Sequence, residues 1–188
     1  MRLVEGKHGN QRLFFSRDFT IAKLMTASRS QYLFAYGTLR AKEAESSRHG
    51  PKSLSVSPAK APGHLYTLKE GYPILLVESS IHIVTASHEW EADWELAYSR
   101  LESLSCASAS PSSIEGELIE IPLEPGVFDG SDAWEGFSVG ENSVYQRIVI
   151  PITRTDGSIL PAWVYACLRV PELAKPFPGN RWIRPEAL

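Results

Sequence analysis

The chain has 188 residues, enough for one domain with a sizeable core. Hydrophobic residues make up 43% and charged residues 22%, an ordinary globular balance. The net charge of −3 carries no basic excess, which argues against nucleic acid as a partner. No apolar run reaches the roughly 18 residues of a membrane span, so no membrane partner is expected. Two cysteines, Cys106 and Cys167, make no disulfide framework and suit a reducing compartment. Arg2, Glu5, Lys7, Arg12, Arg17 and Asp18 leave no apolar stretch for a secretory leader, so the expected location is cytoplasmic.

Residues 1–30 hold only apolar islands, Leu13-Phe14-Phe15 and Phe19-Thr20-Ile21, and read as an N-terminal extension to a domain over 31–188. Tyr32-Leu33-Phe34-Ala35-Tyr36 is a buried strand running into Gly37-Thr38. Glycine there lets the backbone turn sharply or approach a ligand, and successive N–H groups in such a turn can converge on an anion. Residues 41–53 are a polar loop or short helix, ended by Gly50-Pro51. Ala61 to Leu68 reads as extended, Glu70-Gly71-Tyr72-Pro73 as a turn, and Ile74 to Val77 as a buried strand. Ile81 to Thr85 is a candidate continuation of the sheet.

A helix is predicted over 88–104. Trp90, Trp94, Ala97, Leu101 and Leu104 form one stripe, with Ser87 a candidate cap and Glu89 and Glu91 suited to the helix dipole. The stripe packs on the protein's own sheet, unless its tryptophans serve a partner. Residues 105–113 are low-complexity and read as a mobile loop. Ile114 to Ile121 and Tyr145 to Ile152 are strands. In the second, Ile148, Ile150 and Ile152 share one face, and Tyr145, Arg147 and Val149 the other. Thr155-Asp156-Gly157-Ser158 is a hairpin signal, returning along Ile159 to Val170 with Ala162, Val164, Ala166 and Leu168 on one face. The proline-punctuated remainder reads as a tail that wraps the body.

Consecutive strands without regular intervening helices exclude a doubly wound fold. The expected class is α+β: a small mixed β-barrel or curled sheet of five to seven strands with one long helix packed against it.

Little in the chain matches familiar chemistry. His8, His49, His64, His82 and His88 form no metal-ligand spacing, and dinucleotide, P-loop and nucleophile-elbow fingerprints are missing. Cys106 and Cys167 have no activating partner nearby in sequence and are expected to be inert. Glu135 stands out, between Trp134 and Gly136-Phe137. Apolar neighbours that desolvate a carboxyl raise its pKa and fit it to shuttle a proton near neutral pH. A carboxylate that merely caps loop N–H groups is the alternative.

Together these pieces resemble the γ-glutamyl cyclotransferase-like (avirulence-induced-gene-like) family. The likeness rests on Tyr36-Gly37-Thr38-Leu39, on Gly63-His64-Leu65-Tyr66 followed by Gly71-Tyr72-Pro73, and on Asp132-Ala133-Trp134-Glu135-Gly136-Phe137. Ser143-Val144-Tyr145-Gln146-Arg147, Ala162-Trp163-Val164-Tyr165 and Gly179-Asn180-Arg181-Trp182 extend it, in order, to residue 182. Residues 82–113 look like an insertion, and prolines and glycines interrupt the helix that usually precedes the acidic motif. The resemblance implies release of 5-oxoproline from a γ-glutamyl amide or γ-glutamylamine, the substrate's α-amino group attacking its own γ-carbonyl. It implies Glu135 as general acid/base, the Gly37, Thr38 and Leu39 N–H groups around the substrate carboxylate, and Tyr36 and Tyr145 beside them. The implied partner is a small γ-glutamyl molecule, with no metal or organic cofactor; nothing indicates the oligomeric state. A non-catalytic binding module on the same fold, and an acyl-transfer enzyme acting on another γ-glutamyl-tagged molecule, are the alternatives.

Overall fold

The structure is a computed structural model that describes residues 30–104 and 113–184. The expectations for the first 29 residues, and for the Ser/Ala loop with Cys106, lie outside the described residues.

The first strand, β1 (Ser30–Ala35), runs antiparallel to β6 (Ser113–Pro122) and parallel to β8 (Ile159–Ala166). Its Leu33-Phe34-Ala35 run, buried at every position, fits a strand covered on both faces. The β7 strand (Gln146–Arg154) and β8 form the hairpin expected from the Asp156-Gly157 signal, in register from Gln146↔Ala166 to Thr153↔Ile159. The β2 strand (Ser55–Pro62) pairs along its length with β6 and touches β7 at Ala59 and Lys60. That contact closes β2-β6-β1-β8-β7 into a five-stranded mixed barrel, with short β5 (Val84–Thr85) flanking β7. A second sheet, β4-β3-β9, joins Pro73–Leu76, His64–Thr67 and Lys175–Pro176. The fold is therefore the expected α+β barrel, with this small sheet beside it.

Alternation divides the core in two. Phe34, Leu118, Ile148, Ile150 and Ile152 point into the barrel. Ala59, Ala61 and Ala162 belong to the same buried cluster, small residues among large ones as a narrow lumen requires. Leu33, Ile119, Ile121, Val149 and Trp163 point outward, under the long helix α2 (Trp90–Leu104). Trp94 of that helix is buried and stacks on Trp163 at 6.1 Å, so it packs on the protein's own sheet as expected. Trp90 is only half buried. Ser87 takes the N–H of Glu89 on its hydroxyl, while its own N–H donates to the Asp93 carboxylate, which ties off the helix start.

The return strand ends sooner than its alternation suggested. Cys167 bridges to Leu76 of β4, and Leu168, expected on the face of Ala162, Val164 and Ala166, is 38% exposed where those three are buried. This bridge, with Val77 N–H to Cys167 O and Cys167 N–H to Leu75 O, fastens the small sheet to the barrel. The tail wraps back as expected, adding β9 to β3 and burying Trp182.

Candidate active site

The site gathers where β1 ends against the small sheet. The Tyr36 hydroxyl donates to Tyr165 O at 2.8 Å and accepts the Leu75 N–H at 3.0 Å, so one side chain holds β1, β8 and β4 together. Burial holds its pKa well above the usual phenol range, and it stays neutral.

Gly37 follows, and here the backbone needs a residue without Cβ: a methyl group would sit 2.7 Å from Pro73 Cγ. The turn closes with Arg40 N–H on Gly37 O. The Arg40 guanidinium bonds the same oxygen and pairs with Glu43 at 2.9 Å. Among the described residues, no hydrogen bond uses the N–H groups of Gly37, Thr38 or Leu39. The rigid Pro73 ring has no flexible end to swing aside. Gly37→Ala is therefore expected to destabilise the protein by about 1–3 kcal/mol, read as a lower urea midpoint.

The acidic motif is a helix ending. α3 spans Asp129–Glu135, and α1, a polar helix at Ala44–His49, lies beside it. Gly136 adopts φ 63°, Phe137 N–H bonds Asp132 O at 2.9 Å, and Gly136 N–H reaches Ala133 O. These two bonds are a Schellman ending, with buried Phe137 as its apolar anchor. The helix expected to be disrupted ahead of the motif is this short one, and it carries the motif itself. Asp132 turns inward to Arg147 on β7, Oδ1 to Nε 2.9 Å and Oδ2 to Nη2 3.3 Å. The Tyr165 hydroxyl adds a 2.6 Å bond to Asp132 Oδ1. The pair thus clamps α3 to the barrel.

This clamp places Glu135 in a cavity of about 290 Å³, and burial pushes its pKa up to about 7. Tyr36, Gly37, Thr38, Leu39 and Tyr145 line the same cavity, so all six residues singled out from the sequence meet there. The Tyr145 hydroxyl donates to Pro73 O at 2.8 Å, and burial, with the Glu135 carboxylate second, raises its pKa. Its proton is therefore committed, and its oxygen remains as an acceptor. Cys167 lies close enough to feel Glu135. Burial first and that carboxylate second push its thiol up to about 12, and its S–H bonds Val144 O at 2.8 Å, which suits the inert role expected of it.

Sequence reasoning did not single out Leu68, Tyr72, Pro73 or Tyr165 as lining residues. It also missed the Asp132–Arg147 clamp, although both residues sit inside quoted motifs.

One comparison with known proteins agrees with the resemblance. A family model described as gamma-glutamyl cyclotransferase, AIG2-like, matches residues 33–92, which hold the first strand, the Gly37 loop and the β3–β4 pair. The crystal structure of an uncharacterized protein from Pyrococcus horikoshii is similar at 12% identity and a TM-score of 0.40, covering 78% of this chain and 85% of that one. No curated protein matches the chain.

Proposed function

We propose that this cyclotransferase-like chain, with its family match at residues 33–92, is an enzyme that releases 5-oxoproline from a γ-glutamyl amide or γ-glutamylamine. The observation that carries the reading is a carboxyl of pKa about 7, Glu135, facing the Gly37–Leu39 backbone across one cavity.

The reaction needs few parts. Ionised Glu135 takes a proton from the substrate's α-ammonium, and the freed nitrogen attacks the γ-carbonyl carbon. The five-membered ring closes, Glu135 returns the proton to the leaving nitrogen as its bond to the carbonyl carbon breaks, and the carboxylate so regenerated carries the ring nitrogen's second proton to the departing amine, which leaves as an ammonium. Protons and electrons balance with no water consumed. The N–H groups of Gly37, Thr38 and Leu39 take the substrate carboxylate and hold the chain folded back. Orientation supplies much of the rate gain, because the attack is intramolecular. The Tyr145 oxygen, free to accept, receives the α-amino group and orients it; its proton stays on Pro73 O.

The test is mass-spectrometric detection of 5-oxoproline from γ-glutamyl dipeptides and γ-glutamylamines. Glu135 must be ionised in the free enzyme, so kcat/KM is expected to rise with pH through about 7 and then level off. A flat profile between pH 5.5 and 8.5 contradicts Glu135 as the base.

A further inference from the structure

In the proposed reaction, the glutamyl half of the substrate engages polar groups of the cavity: the backbone N–H groups, Glu135 and the Tyr145 oxygen. Much of the remaining wall is apolar or aromatic, including Leu39, Leu68, Tyr72, Pro73 and Trp134. Tyr72 and Trp134 are unusually open for large aromatics, at 47% and 37% exposure. A single exposed aromatic needs no explanation. These two line one cavity.

Trp134 stacks on His49 with ring centroids 4.4 Å apart and planes 12° off parallel, and its indole N–H reaches Thr38 Oγ1 at 3.4 Å. Tyr72 closes a tight turn, with Leu68 N–H on Tyr72 O and Gly71 N–H on Leu68 O, each 2.9 Å. A side chain ordered before a ligand arrives, as Trp134 is, loses little freedom when it binds.

Among the described residues that line the cavity, none is cationic. Of the nearby cations, Arg40 is engaged with Glu43 and Gly37 O, Arg147 with Asp132, and Arg184, whose charge reaches Tyr72, with Glu43 and Glu45. Lys69 and Glu70, exposed after Leu68, oppose each other in charge. A leaving group with its own carboxylate would meet aromatic rings here and lose hydration without a partner.

Resting on the proposed cyclotransferase reading, we infer that the leaving group is an apolar amine, preferably aromatic, and that Trp134 is the wall that selects it. The experiment measures kcat/KM of the full chain for γ-glutamylmethylamide, γ-glutamylphenethylamide and γ-glutamylphenylalanine. The last two differ only by a carboxylate on the leaving amine. The phenethylamide is expected to exceed γ-glutamylphenylalanine by about tenfold or more. Trp134→Ala should lower the phenethyl-to-methyl ratio about tenfold, and Trp134→Phe should keep most of it. Preference for γ-glutamylphenylalanine, or a ratio unmoved in Trp134→Ala, overturns the inference while methylamide turnover leaves the reaction standing. Absence of 5-oxoproline from all three, the methylamide included, overturns the reaction itself.

Discussion

Glu135→Gln is expected to lower 5-oxoproline release by about two to four orders of magnitude, because glutamine keeps the shape but moves no proton. Its effect on stability should have the opposite sign. In the folded chain the Glu135 pKa stands at about 7, above its ordinary value, because burial disfavours the anion. The native state then holds a proton that the unfolded chain releases, between the unfolded value near pH 4.5 and about pH 7. Wild-type stability attributable to this group is complete below that window and falls as pH rises through it. At pH 8 the glutamine variant should be more stable by about 1–3 kcal/mol, the upper part of that range requiring full desolvation. At pH 4 the gain should vanish. Urea unfolding at the two pH values checks this, and a variant less stable than wild type at pH 8 contradicts it.

Loss of the Asp132–Arg147 clamp should produce the largest stability effect. Arg147 is buried, its guanidinium 4.3 Å from the Phe128 ring and 4.9 Å from Trp163. Asp132 neutralises it through two hydrogen bonds. Asp132→Ala leaves a cation among aromatic rings and is expected to cost about 3–5 kcal/mol. Adding Arg147→Met removes the stranded charge and should recover part of that loss, so the two changes should not be additive. Turnover should fall too, since the clamp seats the helix that ends in Glu135. A loss below about 1 kcal/mol on urea unfolding would match a solvent-exposed pair and contradict the clamp.

How far the sequence revealed this depends on where each constraint lies. The Ile148/Ile150/Ile152 alternation is local and transferred directly to the barrel interior. So did the Asp156-Gly157 hairpin, where a turn sets the register. Asp132 to Phe137 carried its own helix ending in Gly136, and the six residues around the cavity followed from motifs in that segment, the Gly37 loop and Ser143–Arg147. β2 was hidden. Ser55-Val56-Ser57-Pro58-Ala59-Lys60-Ala61-Pro62 has weak strand propensity, and its pairing with β6 and β7 overrides that. It meets β7 at only two residues, so much of that side is an edge where prolines are tolerated.

The Asp132–Arg147 pair spans 15 residues, and no local rule joins a helix carboxylate to a strand guanidinium. The exposed wall of Tyr72 and Trp134 was equally hidden, because exposure of an aromatic depends on what packs against it. Leu168 shows the reverse error. Alternation was extended past the end of β8, where Cys167 leaves the barrel to pair with the small sheet.

The most direct measurement of the central claim is the oxygen content of the product. γ-Glutamylmethylamide is turned over in water enriched in oxygen-18, and the products are weighed by mass spectrometry. Intramolecular attack consumes no water, so the account predicts unlabelled 5-oxoproline and methylamine in equal amounts, with Glu135→Gln producing neither at a comparable rate. Oxygen-18 in a glutamate product would identify water as the nucleophile and contradict the account.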